Sequence, residues 1–109
     1  MAVLDTTAAA GFQARATDAA RLLRALANES RLAVLCRLGG GERTVGELQR
    51  HVGLSQSALS QHLARLREEG LVAARRKGRS IWYRIADPHA MQVIERLIET
   101  YCPTEGASK

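Results

Sequence analysis

Apolar residues recur at helical spacing in five separate segments of this 109-residue chain, and one further stretch reads as a pair of short strands. Between Thr17 and Ala27, the side chains Ala19, Leu22, Leu23 and Leu26 follow the helical period. Asn28 reads as an N-cap, and Glu29 suits the positively polarised first turn of a second helix running to about Leu38. Leu32, Leu35 and Cys36 share a face of that helix, and Gly39-Gly40-Gly41 ends it. Thr44-Val45-Gly46-Glu47 has capping-box spacing and opens a third helix reaching about His51. Gly53 supplies a turn and Ser55 caps a fourth helix. Its buried stripe is Leu59, Leu63 and Leu66, at i, i+4 and i+7, and Gly70 closes it. Leu71–Arg75 and Ile81–Ile85, rich in Val, Ile, Trp and Tyr, predict two strands around an Arg-Lys-Gly-Arg turn. Asp87-Pro88 then starts a last helix with a cap and a proline at its first position. Met91, Ile94, Leu97, Ile98 and Tyr101 are its apolar residues, and Pro103 closes it.

Five helices and a two-stranded hairpin predict a mainly α fold, a winged helix-turn-helix, with the third and fourth helices joined through Gly53. No internal repeat or long linker divides the chain. Residues 1–12 and 104–109, small and polar, are expected to be flexible tails flanking one domain over residues 13–103. A domain of this size has a modest core, and dimerisation commonly adds to its stability.

The fourth helix carries the chemistry. Opposite its leucines stand Gln56, Ser57, Ser60, Gln61 and Ala64, with His62 and Arg65 at the flanks. A polar helix face alone is ordinary solvated surface. The hairpin beyond it is less ordinary: Arg75, Arg76, Lys77 and Arg79 cluster around Gly78 with no acid among them. A helix with short hydrogen-bonding side chains, succeeded by a cationic turn, suits duplex DNA, one part entering the major groove and the other gripping phosphate. Ser57, Ser60, Gln61 and His62 are the candidates for base contacts. Gln56, Arg65, Arg76, Lys77 and Arg79 are the candidates for phosphate or groove contacts. His62, beside Leu63, reads equally as a residue at the packing edge, and Trp82 reads as packing.

Composition agrees. Sixteen basic residues, fourteen of them arginine, against eleven acidic ones give a net charge of +5. Arginine's planar fork matches phosphate and guanine edges. An aromatic content of 4% disfavours a single-strand binder built on base stacking. The N-terminus has no basic region before an apolar run, and no apolar stretch approaches a membrane span, so a cytoplasmic protein with reduced thiols is expected and no membrane partner.

The segments ANESRLAVLCRL, LSQSALSQHLARLREEGLV and GRSIWYRI resemble the ArsR family of winged-helix repressors in order and spacing, over roughly residues 17–102. The resemblance implies a homodimer paired through its first and last helices, seated on an imperfect inverted repeat and released by an inducer. Two-fold pairing would set the recognition helices about one DNA turn, roughly 34 Å, apart. The apolar stripe of the last helix is broad for a lone subunit, which fits an interface formed by Leu22, Met91, Ile94, Leu97, Ile98 and Tyr101.

Many members of the family resemble metal sensors, and the family's ligand positions are poorly filled here. Its Cys-Val-Cys motif falls on Thr44-Val45-Gly46. Its pattern on the last helix keeps Asp87 and His89 but meets Thr100 and Pro103 afterwards, which cannot complete a tetrahedral site. Asp87 is better explained as a helix cap and His89 as a surface residue. No metal or other cofactor is expected.

Cys36 and Cys102 remain. As residues they read first as two small hydrophobes, since free cysteine is among the most buried residue types. One cysteine after RLAVL in the second helix and one directly after the final tyrosine resemble the reactive-sulfur branch of the family, which includes sulfide-responsive and biofilm-growth repressors. The resemblance implies a dithiol that persulfides convert to a polysulfide link and oxidants to a disulfide, freeing the operator. The expected protein is therefore no enzyme but a repressor with three partners: double-stranded operator DNA, its own second copy and a persulfide or polysulfide inducer. Three other readings stand beside it: a metal- or haem-responsive repressor with structural cysteines, a winged-helix interaction module that does not bind DNA, and a thiol oxidoreductase. The last is disfavoured by the wide spacing of the cysteines and the missing C-x-x-C and βαβ patterns.

Overall fold

Asn28 turns the chain between its first two helices. Its Oδ1 accepts a hydrogen bond from the Arg31 amide at 3.0 Å, satisfying a donor that the helix itself leaves unpaired. Arg31 then reaches back: its Nε and Nη2 donate to the carbonyls of Ala25 at 3.1 Å and Arg24 at 3.2 Å, which closes the preceding helix. This corner opens the fold seen in the computed structural model, which describes residues 6–101. The elements are α1 (Thr6–Leu26), α2 (Glu29–Leu38), β1 (Arg43–Thr44), α3 (Val45–Val52), α4 (Gln56–Glu68), β2 (Val72–Lys77), β3 (Ser80–Ile85) and α5 (Pro88–Tyr101).

All five expected helices are present. The first begins eleven residues earlier than the apolar spacing suggested, so α1 includes residues 6–12. Ala8, Ala9, Ala10 and Ala14 explain the extension, because alanine has the highest intrinsic helix propensity and needs no apolar period to be helical. Residues 1–5, Cys102, Pro103 and the segment 104–109 lie outside the described residues.

The wing is a three-stranded antiparallel sheet in the order β1-β3-β2, not a two-stranded hairpin. The extra strand, β1, pairs Arg43 with Tyr83 and Thr44 with Trp82. Thr44 ends it by becoming the N-cap of α3: its hydroxyl accepts from Glu47 N at 3.2 Å while the Glu47 carboxylate accepts from Thr44 N at 3.0 Å. β2 and β3 are also longer than expected. They pair from Val72–Ile85 to Lys77–Ser80, which shrinks the turn to Gly78 and Arg79. Gly78 takes φ +63°, the left-handed value that a two-residue hairpin turn with glycine in first place requires. Arg75, Arg76 and Lys77 are therefore strand residues.

The core lies where α2, α3, α4, α5 and the base of the sheet meet. Val34, Leu35, Leu38, Leu48, Leu59, Leu63, Leu66 and Ile94 are its fully buried large side chains. Each contributes about 1.5 to 3 kcal/mol by leaving water. The expected α4 stripe is this core's centre. On α2 the buried residues are Val34, Leu35 and Leu38, while Cys36 is half-buried at the side.

Candidate functional site

The helix-turn-helix is set by two local devices. Gly53 caps α3 in the left-handed conformation, φ +69°. Two residues later the Ser55 hydroxyl accepts from Ala58 N at 3.1 Å and starts α4. Three buried leucines then fix the rotation of α4 about its axis, so its opposite face is aimed outward by packing alone. Gln56, Ser57, Ser60, Gln61 and Ala64 are exposed on that face. A helix of thirteen residues is about 20 Å long, enough for its first two turns to lie in a major groove.

The chain's acids sharpen this reading. Glu68 and Glu69 close α4, so its N-terminal half is polar and free of carboxylates while its C-terminal end is not. Arg65 is exposed but faces Glu69, with Nε 3.6 Å from the carboxylate, which makes it a less available phosphate ligand than the sequence suggested. His62 is half-buried on the flank shared with Ala58 and Glu69, at the edge of the leucine stripe, whereas Ser57, Ser60 and Gln61 are fully outward.

Arg76, Lys77 and Arg79 are exposed on the wing. Arg75 departs from the expectation of a cationic turn without acids. Its Nη2 and Nε donate to the two carboxylate oxygens of Glu42 at 2.7 and 2.8 Å. Glu42 precedes β1 by one residue and, by strand alternation, lies on the same sheet face as Arg75. The hydrogen bond from Arg75 holds the Glu42 carboxyl below its ordinary range, and the carboxylate in turn raises the guanidinium. The sequence could not disclose this pair, because a two-residue strand leaves no periodicity and Glu42 and Arg75 are far apart in the chain.

Of the residues expected at a subunit interface, Ile94 is fully buried inside the subunit; α5 turns it, with Ala90, onto the core. Leu22, Met91, Leu97 and Ile98 are partly buried against that core. Among the described residues, Tyr101, 74% exposed, and Leu23, 61% exposed and not singled out for this role from the sequence, are large apolar side chains that α1 and α5 leave open.

Asp87 spends one carboxylate oxygen on the α5 cap, accepting from His89 N at 2.8 Å and Ala90 N at 3.4 Å. Among the described residues no group of three His, Cys, Asp or Glu side chains is placed to hold a metal ion. Nor is any helix among them long and apolar enough to cross a membrane. Cys36 lines an open groove of about 960 Å³ between α2, the end of α3 and α5.

This geometry has close counterparts. A profile of the bacterial regulatory protein, arsR family, matches residues 28–74, from the α2 cap through the first half of β2. The chain is 46% identical over 98 residues to the HTH-type transcriptional regulator YgaV of Escherichia coli (strain K12), covering 89% of this chain and 99% of that protein. The protein belongs to the arsR family. As an arsR-family regulator it shares its architecture with solved members. The transcriptional repressor BigR from Xylella fastidiosa superimposes with a TM-score of 0.78 at 38% identity, over 86% of this chain and 96% of that one. Reduced HlyU from Vibrio cholerae gives a TM-score of 0.80 at 43% identity, over 85% and 98% of the two chains. The winged helix-turn-helix and the family resemblance inferred from the segments around α2, α4 and β3 are thus both established.

Proposed function

We propose that this arsR-family protein is a cytoplasmic, homodimeric repressor that binds operator DNA and lets go when Cys36 and Cys102 are bridged. The observation that carries the DNA-binding half is the carboxylate-free, exposed outer face at the start of α4, taken together with the exposed Arg76, Lys77 and Arg79 of the wing. Ser57, Ser60 and Gln61 offer hydrogen bonds to base edges, and the wing cations neutralise phosphate. His62 and Arg65 contribute from the flanks, and Gln56 from the first turn. No step in this function is enzymatic.

The switch joins two helices. Cys36 lies on α2, and Cys102 directly follows Tyr101, the last residue of α5. A cysteine thiolate attacks the terminal sulfur of a persulfide R–S–SH, forming a Cys S–S bond, breaking the R–S–S bond and releasing R–S⁻. When both cysteines have reacted, the two persulfides condense to a trisulfide and expel hydrogen sulfide. Capture of one persulfide by the other thiol gives a disulfide and the same leaving group. A peroxide reaches the disulfide too, itself reduced to water. In each case a covalent tie between α2 and α5 alters the helices that carry the subunit contact, and with it the spacing of the two α4 helices. Loss of register at one half-site costs a few kcal/mol, the scale that separates specific from non-specific binding.

The test is binding of the reduced protein to labelled DNA from its own promoter, repeated after persulfide treatment at the same salt. The expected result is tight binding when reduced, loss after treatment and recovery with a thiol reductant. Cys36→Ser and Cys102→Ser variants should bind DNA and ignore the inducer. A variant that still responds normally overturns the switch; no binding of the reduced protein to any duplex overturns the reader.

A further inference from the structure

Burial falls stepwise along the inner face of the wing. The register pairs Val72 with Ile85, Ala74 with Tyr83 and Arg76 with Ile81, and alternation puts all six side chains on one side of the sheet. Val72 and Ile85 are in the core, Ala74 and Tyr83 are half-buried, and Arg76 and Ile81 are exposed. The buried end of this face shares one core with the leucines of α4, so the exposed end projects on the α4 side of the sheet. The two-residue turn at Gly78 fixes that register; a slip of one residue would carry Ile81 to the outer face. At 39% exposure, Ile81 belongs neither to the core nor to the residues packed against it. Leu23 and Tyr101 are exposed too, but they lie on α1 and α5, the helices proposed to pair. Among the described residues Arg76 makes no ion pair, and residues 75–84 contain no acid. A branched apolar side chain directly across a strand pair, its Cβ about 5 Å away, supports the methylene stem of an arginine and steadies its guanidinium.

We propose that Ile81 sets a sequence preference: with Arg76 it enters the minor groove next to the α4 contact and selects base pairs that lack the guanine 2-amino group. In the minor groove A·T and T·A present only acceptors, whereas G·C adds an amino donor. The Arg76 guanidinium donates to those acceptors and is drawn to the negative potential of a narrow, A·T-rich groove. Ile81 adds what a cation alone lacks, an apolar wall. Against its methyl groups a guanine amino group loses water and gains no acceptor, which disfavours G·C. Lys77, on the opposite face of the sheet, is left to phosphate. The preference is separate from the base contacts of Gln61 and its neighbours on α4. It rests on the DNA-binding half of the proposed function and is independent of the cysteines.

Hydroxyl-radical footprinting of the reduced full-length protein on duplex from its own promoter locates the minor-groove positions whose protection is lost in Arg76→Ala. Those positions are then rebuilt with A·T, G·C or inosine·C pairs and compared by fluorescence anisotropy at one salt concentration. Inosine separates the grooves, because its pair with cytosine keeps the major-groove pattern of G·C and lacks only the minor-groove amino group. The parent should bind the A·T and inosine·C duplexes equally and the G·C duplex about tenfold more weakly, a loss within the range for a mismatched base pair. Ile81→Thr keeps a β-branched strand residue at an exposed position, and should bind all three duplexes within about twofold with an unchanged urea midpoint. Ile81→Val, one methyl shorter, should fall between the two. A parent that treats the three duplexes alike, or binds inosine·C as weakly as G·C, overturns the proposal and leaves the α4 reader standing. So does a preference undiminished in both Ile81 variants, or the absence of any protection that depends on Arg76. No binding of the parent to any duplex overturns the reader and this preference together.

Discussion

Arg75 and Glu42 are joined by two hydrogen bonds, 2.7 and 2.8 Å long, in the paired geometry of a guanidinium and a carboxylate. The pair ties β2 to the segment entering β1, and so holds the wing to the start of the helix-turn-helix. It also removes one cation from the wing. Arg76, Lys77 and Arg79 remain exposed around the hairpin turn to meet a polyanion, with Arg84 exposed farther along β3.

Replacing Glu42 by Gln should therefore strengthen non-specific DNA binding and weaken the orientation of the wing. Freed Arg75 adds up to one phosphate contact, so the slope of log affinity against log salt should steepen by about 0.9. The carboxyl itself provides an independent check. Its value is lowered in the folded protein by the Arg75 hydrogen bond, so the pair is intact above the ordinary glutamate range, near 4.3, and is lost as pH falls through the lowered folded value. Carbon-13 detected NMR of Glu42 should show a midpoint below about 4.3, and Arg75→Gln should return it there.

Within the reader, Gln61 and Lys77 should fail differently. Gln61→Ala removes a candidate base contact from the outer face of α4, and should cost about 1 to 3 kcal/mol on the operator with little change on random duplex. Lys77→Ala should weaken both duplexes alike and shallow the salt slope by about one unit. Fluorescence anisotropy over a salt series separates the two patterns. The reverse assignment, with Lys77 carrying sequence preference, would move the base-reading surface from α4 to the wing.

Much of this was legible in the sequence because the signals were local. Asn28, Thr44-Glu47 and Ser55 cap the helices they were expected to cap. Leu59, Leu63 and Leu66 needed only their spacing to predict the burial of one α4 face. What escaped depended on contacts between distant segments. A strand of two residues has no alternation to detect, so β1, and with it the Glu42–Arg75 pair, was invisible. Ile94 and Tyr101 belong to the same apolar period of α5, and only the packing of α5 decides that one is buried and the other exposed.

Gly53 offers a test of the turn that places α4. Its φ of +69° is unfavourable for a side chain, yet a Cβ added there would meet nothing within 4 Å. Backbone strain is therefore the whole penalty. Gly53→Ala should lower stability by about 1 to 2 kcal/mol, and Gly53→Asn by less, because asparagine tolerates the left-handed region. Urea unfolding with unchanged m-values checks this. A much larger loss would mean that the turn packs against something, in conflict with the open space around it.

Leu23 and Ile94 pose the sharpest contrast for assembly. Both are apolar, on the helices proposed to pair, but Leu23 is 61% exposed and Ile94 is completely buried within the subunit. If α1 and α5 form the subunit contact, Leu23→Asp should leave the fold intact and shift the protein toward monomer. A two-fold interface loses each contact twice, so about 3 to 6 kcal/mol of dimer stability is at stake for one fully covered leucine. Ile94→Ala should instead lower the stability of the subunit itself by about 2 to 5 kcal/mol. Sedimentation equilibrium and circular dichroism on both variants distinguish the outcomes. A Leu23→Asp protein that stays dimeric would place the contact elsewhere, and would detach the proposed switch from α1 while leaving the tie between α2 and α5 to act through α5 alone.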